Sequence, residues 1–286
     1  MKKSKQENVY SFWSASILLC LLLVCFSLIF ASCAKKGAPK GKTPVLPSAS
    51  PSEAAETPTL PAAPETPIPG IAVTPSAQAP ASGARLGETE DMGQEYVDKF
   101  VFLGDSTTNG LAHYDIVPKT QVWTPASGTL TLAYWSTCTI VDRSDNSEDS
   151  IKNLITEKKP EYILITLGVN GISFMDEKYF TEEYTNLVNA IKEANPTTKI
   201  ILNSMYPVTK KYSDEKNGIT NEKITAANVW VENVATATGV KYLDSATLLK
   251  DANGNLVETY DNDDGLHLNG ETFKLVIDNL RKHGYK

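Results

Sequence analysis

Apolar positions along the chain fall into three regimes. From about Phe12 to Phe30 the chain is almost continuously apolar, and no residue from 11 to 32 carries a charge. From Ala34 to about Met92 there is no hydrophobic period, and prolines recur at 39, 44, 47, 51, 58, 61, 64, 67, 69, 75 and 80 among Ala, Ser, Thr and Glu. From Tyr96 to Lys286 short apolar runs alternate with amphipathic stretches. The runs at 100–103, 162–167, 199–202 and 241–243 have the length and composition of buried strands. Between them, residues 182–194 set Tyr184, Leu187, Val188 and Ile191 on one helical face and stop at Asn195-Pro196. Residues 221–238 do the same with Ile224, Ala227, Val231, Val234 and Ala235 and stop at Gly239. A last helix over about 270–282 presents Phe273, Val276, Ile277 and Leu280. Strands alternating with helices predict a mostly parallel sheet covered on both faces, an α/β fold within one domain of about 190 residues. The stretch 120–141, rich in Thr and aromatics, has room for a strand or hairpin without a fixed position.

The first two regimes predict a tether. Lys2, Lys3 and Lys5 precede the apolar run, and Ala31-Ser32-Cys33 followed by Lys35 and Lys36 closes it, the layout of a secretory signal. The small residues before Cys33 resemble a bacterial lipobox, in which the cysteine is diacylated, although Phe30 stands where that motif usually has Leu. The alternative is an uncleaved anchor, since an uncharged segment of about 20 residues spans a bilayer. Both put the rest of the chain outside the cytoplasm and at a membrane. The division expected is therefore signal or anchor over 1–33, Pro-rich linker over 34–95 and folded domain over 96–286. A linker of roughly 60 residues reaches about 190 Å as polyproline and about 45 Å as a flexible coil.

Charge and cysteine usage narrow the partners. After position 42, twenty basic residues face thirty-three acidic ones, which argues against nucleic acid or another anionic polymer as partner. Cys20, Cys25 and Cys33 lie in or at the end of the apolar segment, so the folded part keeps only Cys138 and forms no internal disulfide. Neither a phosphate-cradling Gly-rich loop nor a Cys/His cluster for zinc is present, and no cofactor is expected. Asp261-Asn262-Asp263-Asp264-Gly265, with Glu271 beyond, has a faint calcium-loop look, but alignment on Gly265 puts Tyr260 at the first ligand position, where there is no carboxylate.

In open parallel sheets reactive groups gather beyond the carboxyl ends of strands. The first strand closes in Gly104-Asp105-Ser106, which puts a serine hydroxyl at the rim and its N–H at a helix start, although Asp and Ser there also read as plain helix caps. The second closes in Gly168-Val169-Asn170-Gly171, where Asn170 offers an amide donor or is merely a turn residue. Before the last helix stands Asp264-Gly265-Leu266-His267, an acid three residues ahead of a histidine and able to fix its tautomer. Of the other histidines, His283 lies in the Lys-rich tail and His113 has no acid three positions before it.

These three blocks, in this order over essentially all of 96–286, resemble the SGNH, or GDSL, hydrolase family. The resemblance implies a three-layer flavodoxin-like fold and metal-free ester hydrolysis, often of acetyl or acyl groups on carbohydrates or lipids. It makes Ser106 the nucleophile and one oxyanion-hole donor, Asn170 a second donor, and Asp264 and His267 the acid and base. Two departures stand out. Gly171 replaces the aspartate that usually follows the asparagine, and no glycine between Gly128 and Gly168 supplies the family's third donor. Residues 135–139 occupy the region expected for that donor, with Gly128 a weaker candidate. The expected partner is a small-molecule or glycan ester, with membrane contact only through the N-terminal lipid or helix, and the domain is expected to be monomeric. Acyl transfer to a sugar hydroxyl, or a binding module of weak catalysis, are the alternatives.

Overall fold

A computed structural model describes residues 83–215 and 218–286. The expectations for the apolar segment, Cys33 and the linker up to position 82 lie outside the described residues. Among the described residues no helix is long and apolar enough to cross a membrane.

Five parallel strands form the central sheet: β1 (Phe100–Gly104), β2 (Val122–Trp123), β5 (Tyr162–Thr166), β6 (Lys199–Asn203) and β7 (Lys241–Leu243), in the spatial order β2-β1-β5-β6-β7. Counting the parallel strands alone, this is the flavodoxin-like order 2-1-3-4-5. Both faces of the sheet are apolar. Leu103, Ile163, Ile165, Ile200 and Leu202 enter one core cluster, while Phe100, Phe102, Tyr162, Leu164 and Ile201 enter the other. This is the period-two alternation of strands buried on both sides. The first face is covered by α3 (Ile151–Lys158), α4 (Glu177–Ala194) and α6 (Asn221–Thr238), and the second by α1 (Gln94–Val97), α2 (Ser106–His113) and α8 (Gly270–Arg281). Two short helices, α5 (Lys210–Asp214) and α7 (Ala246–Leu249), lie in connections. Three layers result, as expected.

Local chemistry sets the helix ends. The Thr220 side chain caps α6 by accepting the Lys223 N–H, and Gly239 ends that helix at φ 68°. Helix α4 starts five residues ahead of the apolar pattern because Asp176 accepts the Tyr179 N–H at 2.8 Å and Phe180 is buried in the added turn. The unassigned stretch 120–141 contains β2 and most of β3 (Thr139–Asp142), which pairs antiparallel with β4 (Ser147–Ser150) as a separate hairpin.

The fold begins ahead of position 96. Ala84 and Leu86 are buried, the Leu86 N–H donates to Tyr242 O at 2.8 Å, and the Tyr242 N–H donates to Ala84 O at 2.9 Å. Arg85 between them reaches Glu232 at 2.5 Å and Asp244 at 2.8 Å. Residues 84–95, grouped with the linker on composition, thus belong to the folded unit, and 84–86 extend the sheet beyond β7.

Candidate active site

Chain order sends β1 first to β2 on one side and later to β5 on the other, so the loops leaving β1 and β5 part company at their carboxyl ends and open a crevice between them. Ser106 leaves β1 into that crevice and Asn170 leaves β5 into it. Ser106 is the first residue of α2, and no described residue accepts its N–H, as befits one of the orphan donors of a helix start.

The loop before α8 brings in the histidine. His267 Nε2 lies 2.8 Å from Ser106 Oγ, across 161 positions of sequence. Its Nδ1 lies 2.7 Å from Asp264 Oδ2, while Asp264 Oδ1 accepts the N–H groups of Leu266 at 2.9 Å and His267 at 2.8 Å. One turn thus holds acid and imidazole together before the serine is involved. Partial burial pushes the Asp264 carboxyl up, but these hydrogen bonds from His267 and Leu266 outweigh it and hold the group below its usual range. Gly265 makes the turn possible. Its φ is 83°, and a Cβ there would lie 2.8 Å from both Thr209 Oγ1 and Tyr212 Cβ. The loop is closed by Gly265 N–H on Asp261 Oδ1 at 2.8 Å and Asn262 N–H on His267 O at 3.0 Å. The acidic run 261–265 therefore uses Asp261, Asn262 and Asp264 on its own backbone. Among the described residues no group of three or more His, Cys, Asp or Glu side chains is arranged to hold a metal ion.

His113 is exposed at the far end of α2, edge-on to Tyr114. It stands seven positions along the helix from Ser106, about 10 Å of rise. His283 Nδ1 is engaged by Asn279 O at 2.7 Å. Neither is at the crevice.

The Asn170 turn follows Gly168, whose φ of 134° and close neighbours Met205 Sδ and Phe180, both 2.8 Å from any added Cβ, leave no room for a side chain. Asn170 Nδ2 donates to Asp105 Oδ2 at 3.1 Å and to Leu130 O at 3.3 Å. Asp105 is wholly buried, and its Oδ1 accepts Thr107 N–H at 2.9 Å and Thr107 Oγ1–H at 2.7 Å. Burial pushes its carboxyl up to about 6, against hydrogen bonds from Thr107 that pull it down. On sequence Asp105 reads as a helix cap. It is one, and its second oxygen also faces Asn170, a contact across 65 positions that no local pattern signals.

The contact with Leu130 brings the loop of the weaker donor candidate to Asn170. Leu130 lies in the loop directly after β2, and Gly128, two residues before it, sits at φ 72° with its N–H on Pro125 O at 2.9 Å. Residues 135–139 lie further on. The Thr137 and Cys138 N–H groups both donate to Tyr134 O, and Trp135 Nε1 donates to Glu183 on α4 at 2.9 Å. Among the candidate donors, the Gly128 N–H and the Thr137 and Cys138 N–H groups are therefore all engaged within their own turns. The Leu130 N–H has no acceptor among the described residues. Arg143, from the β3–β4 turn, ties this corner together by donating to Val122 O, to Thr124 Oγ1 at 2.7 Å and to Asn109 Oδ1 at 3.1 Å.

The sequence pattern of the GDSL-like Lipase/Acylhydrolase family matches residues 102–275. Several solved structures are similar at low identity. A G-D-S-L family protein from Desulfitobacterium hafniense is 20% identical, with TM-score 0.46 over 65% of this chain and 98% of its own. A GDSL-like lipase from Bacteroides thetaiotaomicron is 18% identical, with TM-score 0.45 over 66% of this chain and 87% of its own. A carbohydrate esterase family 3 protein from Talaromyces cellulolyticus is 19% identical, with TM-score 0.41 over 63% and 92%. A search of curated proteins finds no sequence match.

Proposed function

This chain belongs to the GDSL-like lipase/acylhydrolase family of ester-hydrolysing enzymes, and from that premise we propose that it cleaves acyl esters through Ser106, with His267 as base and Asp264 as its partner. The observation that carries this reading is the 2.8 Å approach of His267 Nε2 to Ser106 Oγ, with Asp264 on the opposite ring nitrogen at 2.7 Å. With Nδ1–H donated to Asp264, Nε2 is left free to accept the Ser106 proton as Oγ attacks the ester carbonyl. The tetrahedral oxyanion that forms meets the Ser106 N–H at the head of α2 and the Asn170 amide, donors fixed before the charge develops. Collapse transfers the proton from Nε2 to the departing alcohol and leaves an acyl-serine. Water, deprotonated by the same nitrogen, then releases the acid and restores the hydroxyl.

The substrate we propose is an acetyl or other short acyl ester on a carbohydrate of the cell envelope. Support comes from the loop that starts at Asn170. It continues into an open groove of about 510 Å³, where Phe174 and Trp230 offer aromatic faces and Asp176, Glu222 and Lys223 offer polar groups. Mixed aromatic and charged lining of that kind suits a ring with both apolar and hydroxylated surfaces. The same reading has the domain working outside the cytoplasm, tethered through Cys33 or a spanning segment, as the Lys-led apolar run and Ala31-Ser32-Cys33 suggest.

The test is covalent labelling of the purified protein with a fluorophosphonate, alongside hydrolysis of aryl acetates and acetylated glycans. Wild type is expected to label and turn over, and Ser106→Ala to do neither. Labelling and turnover that survive in Ser106→Ala would overturn the assignment. A wild type that folds but is inert in both assays would point instead to a binding module.

A further inference from the structure

Where the family usually has an aspartate after the asparagine, this chain has Gly171, so the bracing of the oxyanion donor must come from elsewhere. An amide nitrogen carries two hydrogens. Both of those on Asn170 are taken: one by Asp105 Oδ2 at 3.1 Å, the other by Leu130 O at 3.3 Å. Asp105 has no solvent exposure, and its other oxygen is fixed by the N–H and hydroxyl of Thr107, so its carboxylate cannot turn away from Asn170.

Resting on the esterase reading, we propose that Asp105 is the positioning residue of the oxyanion hole and that the transition-state oxyanion displaces the Leu130 carbonyl from Asn170. A carboxylate accepts only, so it selects the orientation in which the Asn170 nitrogen, and not its carbonyl oxygen, faces the crevice. Of the two bonds, the one to the buried carboxylate is the stronger in kind and the shorter here, and the one to the neutral peptide oxygen is the weaker. Charge developing on a substrate oxygen competes with the weaker acceptor and leaves the stronger one in place. The donor is thus occupied at rest and released only by an acceptor more negative than a peptide carbonyl. That is selectivity for the transition state over the neutral ester.

Asp105→Asn tests this. The variant keeps a cap acceptor for Thr107 and nearly the same volume, but turns an NH2 group toward the NH2 of Asn170. The Asn170 amide relieves that clash by rotating, which points its carbonyl at the oxyanion. The expected result is a fall in kcat of about 100- to 1000-fold, the effect of losing one oxyanion donor, with KM changed only about threefold. In an Asn170→Ala background the same substitution is expected to add less than about threefold, since the two side chains act as one unit. Asp105→Ser, which keeps the cap and loses the reach to Asn170, gives the same comparison if Asp105→Asn does not fold. Full multiplication of the two losses, or turnover above about a third of wild type in Asp105→Asn, would overturn the proposal. Ser106→Ala in the same assay separates the two levels. If it is inactive while Asp105→Asn is active, only the positioning role fails. If it remains active, the esterase reading itself fails.

Discussion

The buried carboxyl of Asp105 makes a prediction about stability that is independent of turnover. Its pKa is pushed by burial from 3.8 to about 6 in the folded protein. Between those values the folded state holds a proton that the unfolded chain has lost, so stability falls as pH rises through that interval. Each pH unit of such a difference is worth about 1.4 kcal/mol, and because the unfolded carboxyl is already half ionised at pH 4, the change from there to neutral pH amounts to about 2 kcal/mol of destabilisation. Asp105→Asn removes the titration while leaving other acids in place. The assay is equilibrium urea unfolding of residues 83–286 for both proteins from pH 4 to pH 8. The variant is expected to gain on wild type by about 2 kcal/mol across the range, a relative midpoint shift of about 1 M for an m-value of roughly 2 kcal/mol/M. The absolute effect of the substitution cancels, because only its pH dependence is read. A difference between the two proteins that stays flat within about 0.5 kcal/mol, or that runs the other way, would show that Asp105 is not held against its charge.

Ser106→Ala and His267→Ala are each expected to lower ester turnover by several orders of magnitude, and the double variant to be little worse than either, measured as kcat on an aryl acetate. Asn170→Ala is expected to cost about 2.7–4 kcal/mol in the barrier, a hundred- to thousandfold in kcat with KM nearly unchanged, and retention of most turnover would return Asn170 to a turn residue. Cys33→Ala is expected to release the full-length protein from membranes or block its maturation, read by fractionation and mass, whereas unchanged retention at unchanged size would favour a spanning anchor.

Much of this was legible because it is local. Helix α6 runs over 221–238 as its period and its Thr220 and Gly239 ends require, and the Asp264–His267 pair is written three positions apart. The pairing of Ser106 with His267 is not local, and only the order of three motif blocks linked them. What escaped reading had either too little apolar signal or too long a reach. Strand β2 is two residues long, Leu86 is one buried leucine in a polar stretch, and β4 reads Ser-Glu-Asp-Ser with no hydrophobe at all. The first turn of α4 is announced by its cap Asp176, which precedes the apolar face by a full turn. Asp105 was visible as a cap, but its hold on Asn170 crosses from β1 to β5 and depends on the sheet order.

The entry of the chain at residues 84–86 has a mechanical consequence. A pull arriving from the N-terminal side is first resisted by the two hydrogen bonds with Tyr242 and by the Arg85 ion pairs to Glu232 and Asp244, all at the β7 edge. Two whole strands, β6 and β5, stand between that edge and β1, from which Ser106 emerges. At the spacing of hydrogen-bonded strands this is about 14 Å of hydrogen-bonded sheet. Load entering at residue 84 therefore falls on the rim of the domain, at Arg85 and the Tyr242 hydrogen bonds, before it reaches Ser106 and His267.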